Sequence, residues 1–446
     1  MRRRTPDAGK RDAGRGTPDT APLFPLPTTQ ATEQGGGKTK GSAAARSEAL
    51  PPVCHPPPPE GPAPLRPARP TSRVPWPTAK LGEVAELDLG KMLDQKKNKG
   101  IPRKYLANVD VRWGAFNLGN LKEMRFLDSE LERYGLKFGD IVMCEGGEPG
   151  RCAIWKDQIP GMMYQKALHR IRPHKELDFR FLYYWFLILG YKNGFDRLFT
   201  GSTIKHMPKD KLALLEIPLP PLPVQHRIAD ILSAYDDLIE NNRRRIAILE
   251  ETARLAYRKW FGDTTARTAP LGEIADVVMG QSPESKTYNA EGEGLPFHQG
   301  VTGFGFRYPS NEMWCTAGTR FAEEGDILFS VRAPVGRINV SSEKIVIGRG
   351  LSAMRAKNGC QSWLLYTLKQ YFSKEDMIGV GCIFASTTKK ELLSVRLPFP
   401  PKDEILDFEQ YISPMDSQIK ALTRQYSNLA ATRDMLLPRL MKGGVG

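Results

Sequence analysis

The sequence predicts an α+β protein in which two mixed α/β domains alternate with two long helices that form a coiled coil, behind a disordered amino-terminal tail. Three observations predict it: an unbroken 3.5-residue apolar spacing, its recurrence 180 residues later, and a wider repeat between the segments that precede each copy. The chain divides into a tail at 1–76, a first domain at 77–221, a first helix at 222–262, a second domain at 263–401 and a second helix at 402–446.

The first helix is read between Gln225 and Phe261. Its seam positions are Ile228, Leu232, Tyr235, Ile239, Asn242, Ile246, Leu249, Ala253, Ala256 and Trp260, in alternating steps of 4 and 3. A mean spacing of 3.5 against the 3.6 of an ideal helix keeps one seam on a partner and implies a left-handed coiled coil. Asp236, Asp237, Glu240, Arg243, Arg244, Arg245, Glu250 and Arg254 suit a solvated flank. Pro220, Pro221 and Pro223 block an earlier start, and Gly262 ends the pattern. These 37 residues make a rod of roughly 55 Å. The second helix repeats the seam at Phe408, Ile412, Met415, Ile419, Leu422, Tyr426, Leu429, Arg433, Leu436 and Leu440, where only Arg433 breaks it. Pro414 and Pro438 each remove a backbone donor, so this copy is expected to be kinked or broken into segments. Two copies of one rod in one chain are each other's natural partners.

The tail carries 16 of the 36 prolines and the runs Gly35-Gly36-Gly37 and Pro56 to Pro59, too little apolar surface to offset ordering entropy, so disorder is expected there. Gly37-Lys38-Thr39 resembles the end of a phosphate loop, but Thr32 stands where the first glycine is needed. From Trp76 the composition turns globular and the wider repeat begins. Leu81 to Glu86 returns as Leu271 to Asp276 at an offset of 190, and Gly139-Asp140-Ile141-Val142 as Gly325-Asp326-Ile327-Leu328 at 186. Leu168 to Arg172 returns as Leu351 to Arg355 at 183, and Ser202-Thr203-Ile204-Lys205 as Ser386-Thr387-Thr388-Lys389 at 184. Two copies with drifting offsets are a tandem duplication, not a solenoid. Within each copy, Asp140 to Cys144, Asp326 to Ser330 and Lys344 to Ile347 read as strands, and Phe179 to Leu189 and Ser362 to Phe372 as helices packed on the sheet.

Composition bounds the function. The net charge of +14 points to a polyanionic partner, and the tail, with twelve Lys/Arg against six Asp/Glu, supplies less than half of it. The six cysteines (54, 144, 152, 315, 360, 382) form no CxxC pair, which suits free thiols in a reducing cytoplasm. The most apolar run, Phe181 to Leu189, is about half the length of a membrane span, and the start lacks the apolar core of a signal peptide.

The residues Leu219-Pro220-Pro221-Leu222-Pro223-Val224-Gln225, Asp236-Asp237-Leu238-Ile239 and Leu249-Glu250 to Trp260-Phe261 resemble the central region of type I restriction-modification specificity subunits. The second half is similar to that family's repeat at Gly280-Gln281-Ser282-Pro283, Arg332-Ala333-Pro334-Val335-Gly336, Gly348-Arg349-Gly350-Leu351, Pro398 to Pro401 and Leu436-Leu437-Pro438. The resemblance covers the chain from about residue 77 to its end. It implies two target-recognition domains, each reading one part of a split double-stranded DNA site, held apart by the helices as an antiparallel coiled coil. Its further implications are modification (DNA-methyltransferase) and restriction/translocase subunits as partners, with S-adenosylmethionine, ATP and Mg used by those partners and no cofactor bound by this chain. In the first half Glu145-Gly146-Gly147-Glu148-Pro149-Gly150 replaces the Arg-Ala-Pro-Val-Gly loop, so groove contacts are expected to differ.

The sequence shows no complete motif for covalent chemistry. Neither an Asn-Pro-Pro-aromatic nor an Asp-Pro-Pro-Tyr loop occurs, and the six histidines show no HxxxH or HxH spacing. Asp276 with Glu284 and Lys286 has nuclease residue types, but flanks a turn at Ser282-Pro283 where metal-holding carboxylates need a strand. A non-catalytic recognition subunit is therefore expected, without catalytic or metal-binding residues. Candidate DNA contacts are Lys96, Lys97, Lys99, Arg103 and Lys104, a basic loop that reads equally as a solvated turn. Gln165, Lys166 and Arg170 in the first half, and Arg349 and Arg355 in the second, are candidates paired by the duplication, and the same alternation fits a plain strand. Lys205 and Lys389 follow the repeated Ser-Thr, read first as a helix cap and second as a phosphate site. Gln281, Gln299, Arg332 and Arg337 are loop candidates for base reading. The contacts expected to hold the coiled coil are Ile228, Leu232, Tyr235, Ile239, Ile246, Leu249, Trp260, Ile412, Ile419, Leu422, Leu429 and Leu436. The competing reading is a coiled-coil scaffold whose basic charge is incidental; a restriction enzyme in its own right lacks the motifs.

Overall fold

The computed structural model of the chain describes residues 76–94, 98–201, 205–262, 267–372 and 386–443. The tail, Lys96, Lys97, Ser202 and Thr203 lie outside the described residues. The chain forms two compact units. One contains the described residues of 76–233 and 434–443, and the other those of 234–433.

In the first unit, β1 (Ala85–Leu89), β2 (Ile141–Cys144), β3 (Cys152–Ile154) and β4 (Leu168–Pro173) form one antiparallel sheet in the order β1-β4-β2-β3. Continuous burial of β2, from Ile141 to Cys144, fits an interior strand covered on both faces. Helix α1 (Phe179–Tyr191) lies on this core through Phe181, Leu182 and Phe186. Its start is capped by Asp178, whose carboxylate accepts from Arg180 N at 2.8 Å and Phe181 N at 3.0 Å, a contribution of about 1 kcal/mol. A short helix α2 (Lys209–Ala213) and the strand Glu216–Pro218, paired with Thr78–Lys80, lead into the long helix α3 (Leu222–Phe261). Buried Gln225 fixes that entrance. Its amide donates to Pro220 O at 2.7 Å and Glu176 O at 3.0 Å, and its oxygen accepts from Asp178 N at 2.8 Å. The first turns of α3 then bury Ile228 and Leu232 in the core that also holds Leu437 and Leu440.

The other unit repeats the layout. Strands β5 (Ala275–Met279), β6 (Ile327–Ser330), β7 (Ile338–Val340) and β8 (Leu351–Ala356) form an antiparallel sheet in the order β5-β8-β6-β7. Helix α4 (Gln361–Phe372) packs on it, followed by α5 (Lys389–Ser394), the strand Arg396–Pro398 paired with Thr268–Pro270, and the long helix α6 (Lys402–Leu440). Here Glu409 on α6 caps α4 by accepting from Ser362 N at 3.1 Å and Trp363 N at 2.9 Å, a task Asp178 performs locally in the first copy.

Within this unit the partners descend along α6 as they ascend along α3. Asp236 meets Arg433, Asn242 Nδ2 donates to Gln425 Oε1 at 3.2 Å, Ile246 packs with Ile419 and Leu422, and Tyr257 meets Phe408 edge to face. Ile239 and Ile412 are buried, while Tyr235, Leu249, Leu429 and Leu436 are half-buried. Several expectations are corrected. Trp260 is 38% exposed, and Tyr257 and Phe261 take the buried positions at that end. A straight helix drifts from a strict heptad, so the inward face moves by a residue over this length. Glu250, placed on the solvated flank by its spacing, is buried and ion-paired. Arg433 does not interrupt the seam, because Asp236 neutralises it. Helix α6 is uninterrupted through Pro414 and Pro438. Pro414 is exposed, so the carbonyl it leaves without an amide partner can be hydrated, while Ile412 and Ile419 hold the opposite face.

Candidate nucleic-acid interface

Antiparallel order brings the C-terminal ends of β5 and β6 and the N-terminal ends of β7 and β8 to one edge of their sheet. At that edge the loops converge tightly. Gly280 N–H donates to Leu351 O at 2.9 Å, Gln281 N–H to Ile347 O at 3.0 Å, Gly350 N–H to Gln299 O at 3.0 Å and Val331 N–H to Gly350 O at 2.9 Å. Glycine is required because a Cβ on Gly280 would stand 2.1 Å from Gly348 O, and one on Gly350 2.4 Å from Gln299 O. Ser282 ties the loops together: its hydroxyl donates to Gln299 Oε1 at 2.9 Å and accepts from Arg349 N at 3.3 Å. Arg332 bridges to Ser386, and Thr387 N–H donates to Val331 O at 2.8 Å, which brings the start of α5 to the same edge. Gln281, Gln299, Arg332, Arg337, Arg349 and Lys389 are all exposed there. Among the described residues none of the four cations has a carboxylate partner, so their charge faces solvent undiminished.

The equivalent edge of the first sheet is built from the same crossings. Gly90 N–H donates to Leu168 O at 3.2 Å, Lys166 N–H to Lys91 O at 3.0 Å, Glu145 N–H to Ala167 O at 2.9 Å and Met207 N–H to Glu145 O at 2.8 Å. Lys166 and Arg349 are both exposed and stand two residues before β4 and β8, so the duplication keeps a cation at this place. Gln165 is half-buried. The matching bridges Gly146 with His206 and Arg332 with Ser386 correct the repeat: His206 to Lys209 corresponds to Ser386 to Lys389, at an offset of 180. Lys205 is exposed, with Nζ 5.4 Å over the Phe199 ring, and is not the counterpart of Lys389. The counterpart is Lys209, the first residue of α2, which reaches Asp88 at 3.3 Å. The cap in the second copy is Thr388, whose hydroxyl accepts from Glu391 N at 3.3 Å.

Arg170 is corrected outright. It is 1% exposed, donates to Glu86 at 2.5 Å, Asp88 at 2.9 Å and the Arg133 carbonyl at 2.9 Å, and is a structural cation of the sheet. Arg103 and Lys104 lie on the strand Ile101–Leu106, not in a loop. Arg103 is half-buried, while Lys104 and Lys99 are exposed. Asp276 lies on β5 with exposed Glu284 and Lys286 in the following loop, bonded to each other at 2.6 Å. Buried Lys91 gave no signal in the sequence, whereas Arg355, a candidate DNA contact, is drawn to a carboxylate. Lys91 is buried, bonded to Glu130 at 2.5 Å and to Arg125 O at 2.9 Å. A second pair is duplicated: Arg172 donates to Asp140 and Arg355 to Asp326, each at 2.7 Å, at the sheet ends away from the loops described. These partners raise both guanidinium pKa values, Asp140 in one case and Asp326 in the other. His169 is buried against Met207 O at 2.8 Å and His298 against Asn311 at 3.0 Å, and burial lowers both imidazole pKa values.

Two copies of one strand and helix layout, each with an exposed cation at the same place on a loop edge of its sheet, define a tandemly duplicated α/β protein. The chain belongs to the family described as type I restriction modification DNA specificity domain, whose model matches residues 73–251 and 267–428. It is similar to the putative type I restriction enzyme MjaX specificity subunit of Methanocaldococcus jannaschii, with 28% identity over 403 residues, 83% of this chain and 93% of the relative. It is also similar to the HindI specificity subunit of Haemophilus influenzae, with 21% identity over 216 residues, 43% of this chain and 47% of the relative. The crystal structure of the S subunit of a type I restriction-modification system from M. genitalium shares the fold. Its TM-score is 0.55 at 20% identity, covering 83% of this chain and 97% of that one. Among the described residues no helix is long and apolar enough to cross a membrane.

Proposed function

We propose that this chain is the DNA-reading specificity subunit of a type I restriction-modification complex, in which each half reads one part of a bipartite double-stranded target. The observation that carries the reading is the duplicated sheet edge, where Lys166 in one copy and Arg349 in the other hold the same exposed place beside groups able to reach base edges. Helices α3 and α6, paired as an antiparallel coiled coil between the recognition domains, supply the docking surface for modification and restriction subunits. The chain itself performs no covalent step. S-adenosylmethionine, ATP and Mg belong to those partners, and the assembly works in the cytoplasm.

Mapping methylated adenines in the source genome with and without this gene tests the proposal. One split motif should vanish with the gene, and an unchanged methylome would refute it. Binding of duplex DNA by the full chain should weaken with added salt, its log–log slope steepening by about 0.9 for each phosphate neutralised. A salt-independent association would favour the scaffold reading instead.

A further inference from the structure

Two hairpins that the duplication makes equivalent carry opposite hydrogen-bonding chemistry. One joins β2 to β3 through residues 145–151, and the other joins β6 to β7 through residues 331–337. Their backbones close alike. Cys144 N–H donates to Arg151 O at 2.8 Å and Ser330 N–H to Arg337 O at 2.9 Å, and Gly150 and Gly336 return hydrogen bonds to Cys144 O and Ser330 O at 3.0 and 3.1 Å. Both glycines need the left-handed region, with φ of 94° and 89°. Arg151 and Arg337 therefore occupy the same corner.

The side chains then diverge. Arg151 is drawn inward: Nη1 donates to Glu148 Oε2 at 2.5 Å and Nη2 to Asn108 O at 3.1 Å. Glu148 is 69% exposed and turns its carboxylate to solvent. Glu145 is held by His206 Nδ1 at 3.2 Å. The second hairpin replaces the position of Glu148 with Pro334 and that of Gly146 with Arg332, so Arg332 and Arg337 face solvent with no carboxylate partner among the described residues. The first hairpin carries Glu145, Glu148 and Arg151, a formal charge of −1, and the second only two arginines, +2. Guanine offers two acceptors in the major groove that suit arginine, whereas cytosine offers an amino donor that suits a carboxylate.

We infer that the two hairpins are specificity-determining elements of the DNA recognition proposed above, on which this inference rests. Arg332 and Arg337 read guanine. Glu148 reads the amino group of cytosine, and Arg151 is a positioning residue that aims Glu148.

The test incubates the full chain, as wild type, Arg337→Gln, Arg332→Gln and Glu148→Gln, with a randomised duplex DNA library and sequences the bound fraction. Wild type should enrich a two-part motif with guanine required in one part and cytosine in the other. Either arginine variant should reduce the guanine preference, and Glu148→Gln the cytosine preference, each by roughly five-fold to a hundred-fold while the other part is unchanged. The arginines are exposed on one hairpin, so if one variant melts below wild type the other carries the test. Binding that falls uniformly with the motif intact would make the arginines phosphate contacts and overturn the inference alone. So would a Glu148→Gln motif identical to the wild type. A wild type that enriches no motif would overturn the DNA-recognition reading as well.

Discussion

Arg307 provides a direct test of how the loop 301–313 is fastened to the long helices. The guanidinium is 4% exposed. Nη1 donates to Glu250 Oε1 on α3 at 2.6 Å and to Tyr366 OH at 3.1 Å, and Nη2 to Asp416 on α6. Burial alone would lower its pKa, but Asp416 and Glu250 outweigh that and raise it above the ordinary guanidinium value. Arg307→Met removes the cation and leaves both carboxylates in place. Breaking a buried pair from one side costs about 3–5 kcal/mol, because the remaining charge stays desolvated. Lys369 still donates to Glu250 Oε2 at 2.9 Å and Tyr366 OH to Asp416 at 3.2 Å, so the lower limit applies, about 3 kcal/mol. For a unit of this size, that lowers the melting temperature of Ala234–Arg433 by roughly 6–12 °C. Differential scanning calorimetry of the full chain measures it. A quadruple variant adding Glu250→Gln, Asp416→Asn and Lys369→Met removes the stranded charges and should recover most of the loss. A single variant within about 2 °C of wild type would refute the argument. A quadruple variant as unstable as the single would show that lost packing, not charge, sets the cost.

Two further outcomes are expected. Ile239→Asp places a carboxylate in a buried position on α3 and should destabilise by several kcal/mol, whereas Leu238→Asp, 50% exposed beside it, should change stability by about 0.5 kcal/mol or less. Equal melting of the two variants would show that the seam is assigned to the wrong face. His298 and His169 have imidazole pKa values lowered by burial, so the fold favours their neutral forms. Their contribution is fully present above the ordinary imidazole value and is lost as pH falls through the lowered folded values. Denaturant unfolding from about pH 8 to about pH 5 should therefore show falling stability, flatter in His298→Gln; an unchanged slope would place the titration elsewhere.

Local pattern alone determined much of this protein. The 3.5-residue spacing specified helix near 225–261, and α3 spans Leu222–Phe261, because periodicity is set by neighbours three and four residues apart. The recurrence of Gly-Asp before a β-branched run specified β2 and β6, whose hydrogen-bonding order is the same in both sheets. Exposed loop cations such as Arg332 and Arg337 were legible because charge without an apolar period belongs at the surface.

Only tertiary structure decided which charges were withdrawn. Arg170 and Arg349 look alike in sequence, but Glu86 and Asp88, 84 and 82 residues away, pair with the buried first, while the second is exposed with no carboxylate partner among the described residues. Glu250 lies on a face that spacing marks as solvated until Arg307, 57 residues on, covers it. Pro414 remains within one helix because the carbonyl left unpaired, that of exposed Gln410, can be hydrated and its neighbours are held by packing, which proline propensity alone does not encode. A residue's local pattern sets its backbone. Whether its charge is available depends on groups that only folding brings within hydrogen-bonding distance, and here that difference separates the structural arginines from those exposed on the loops.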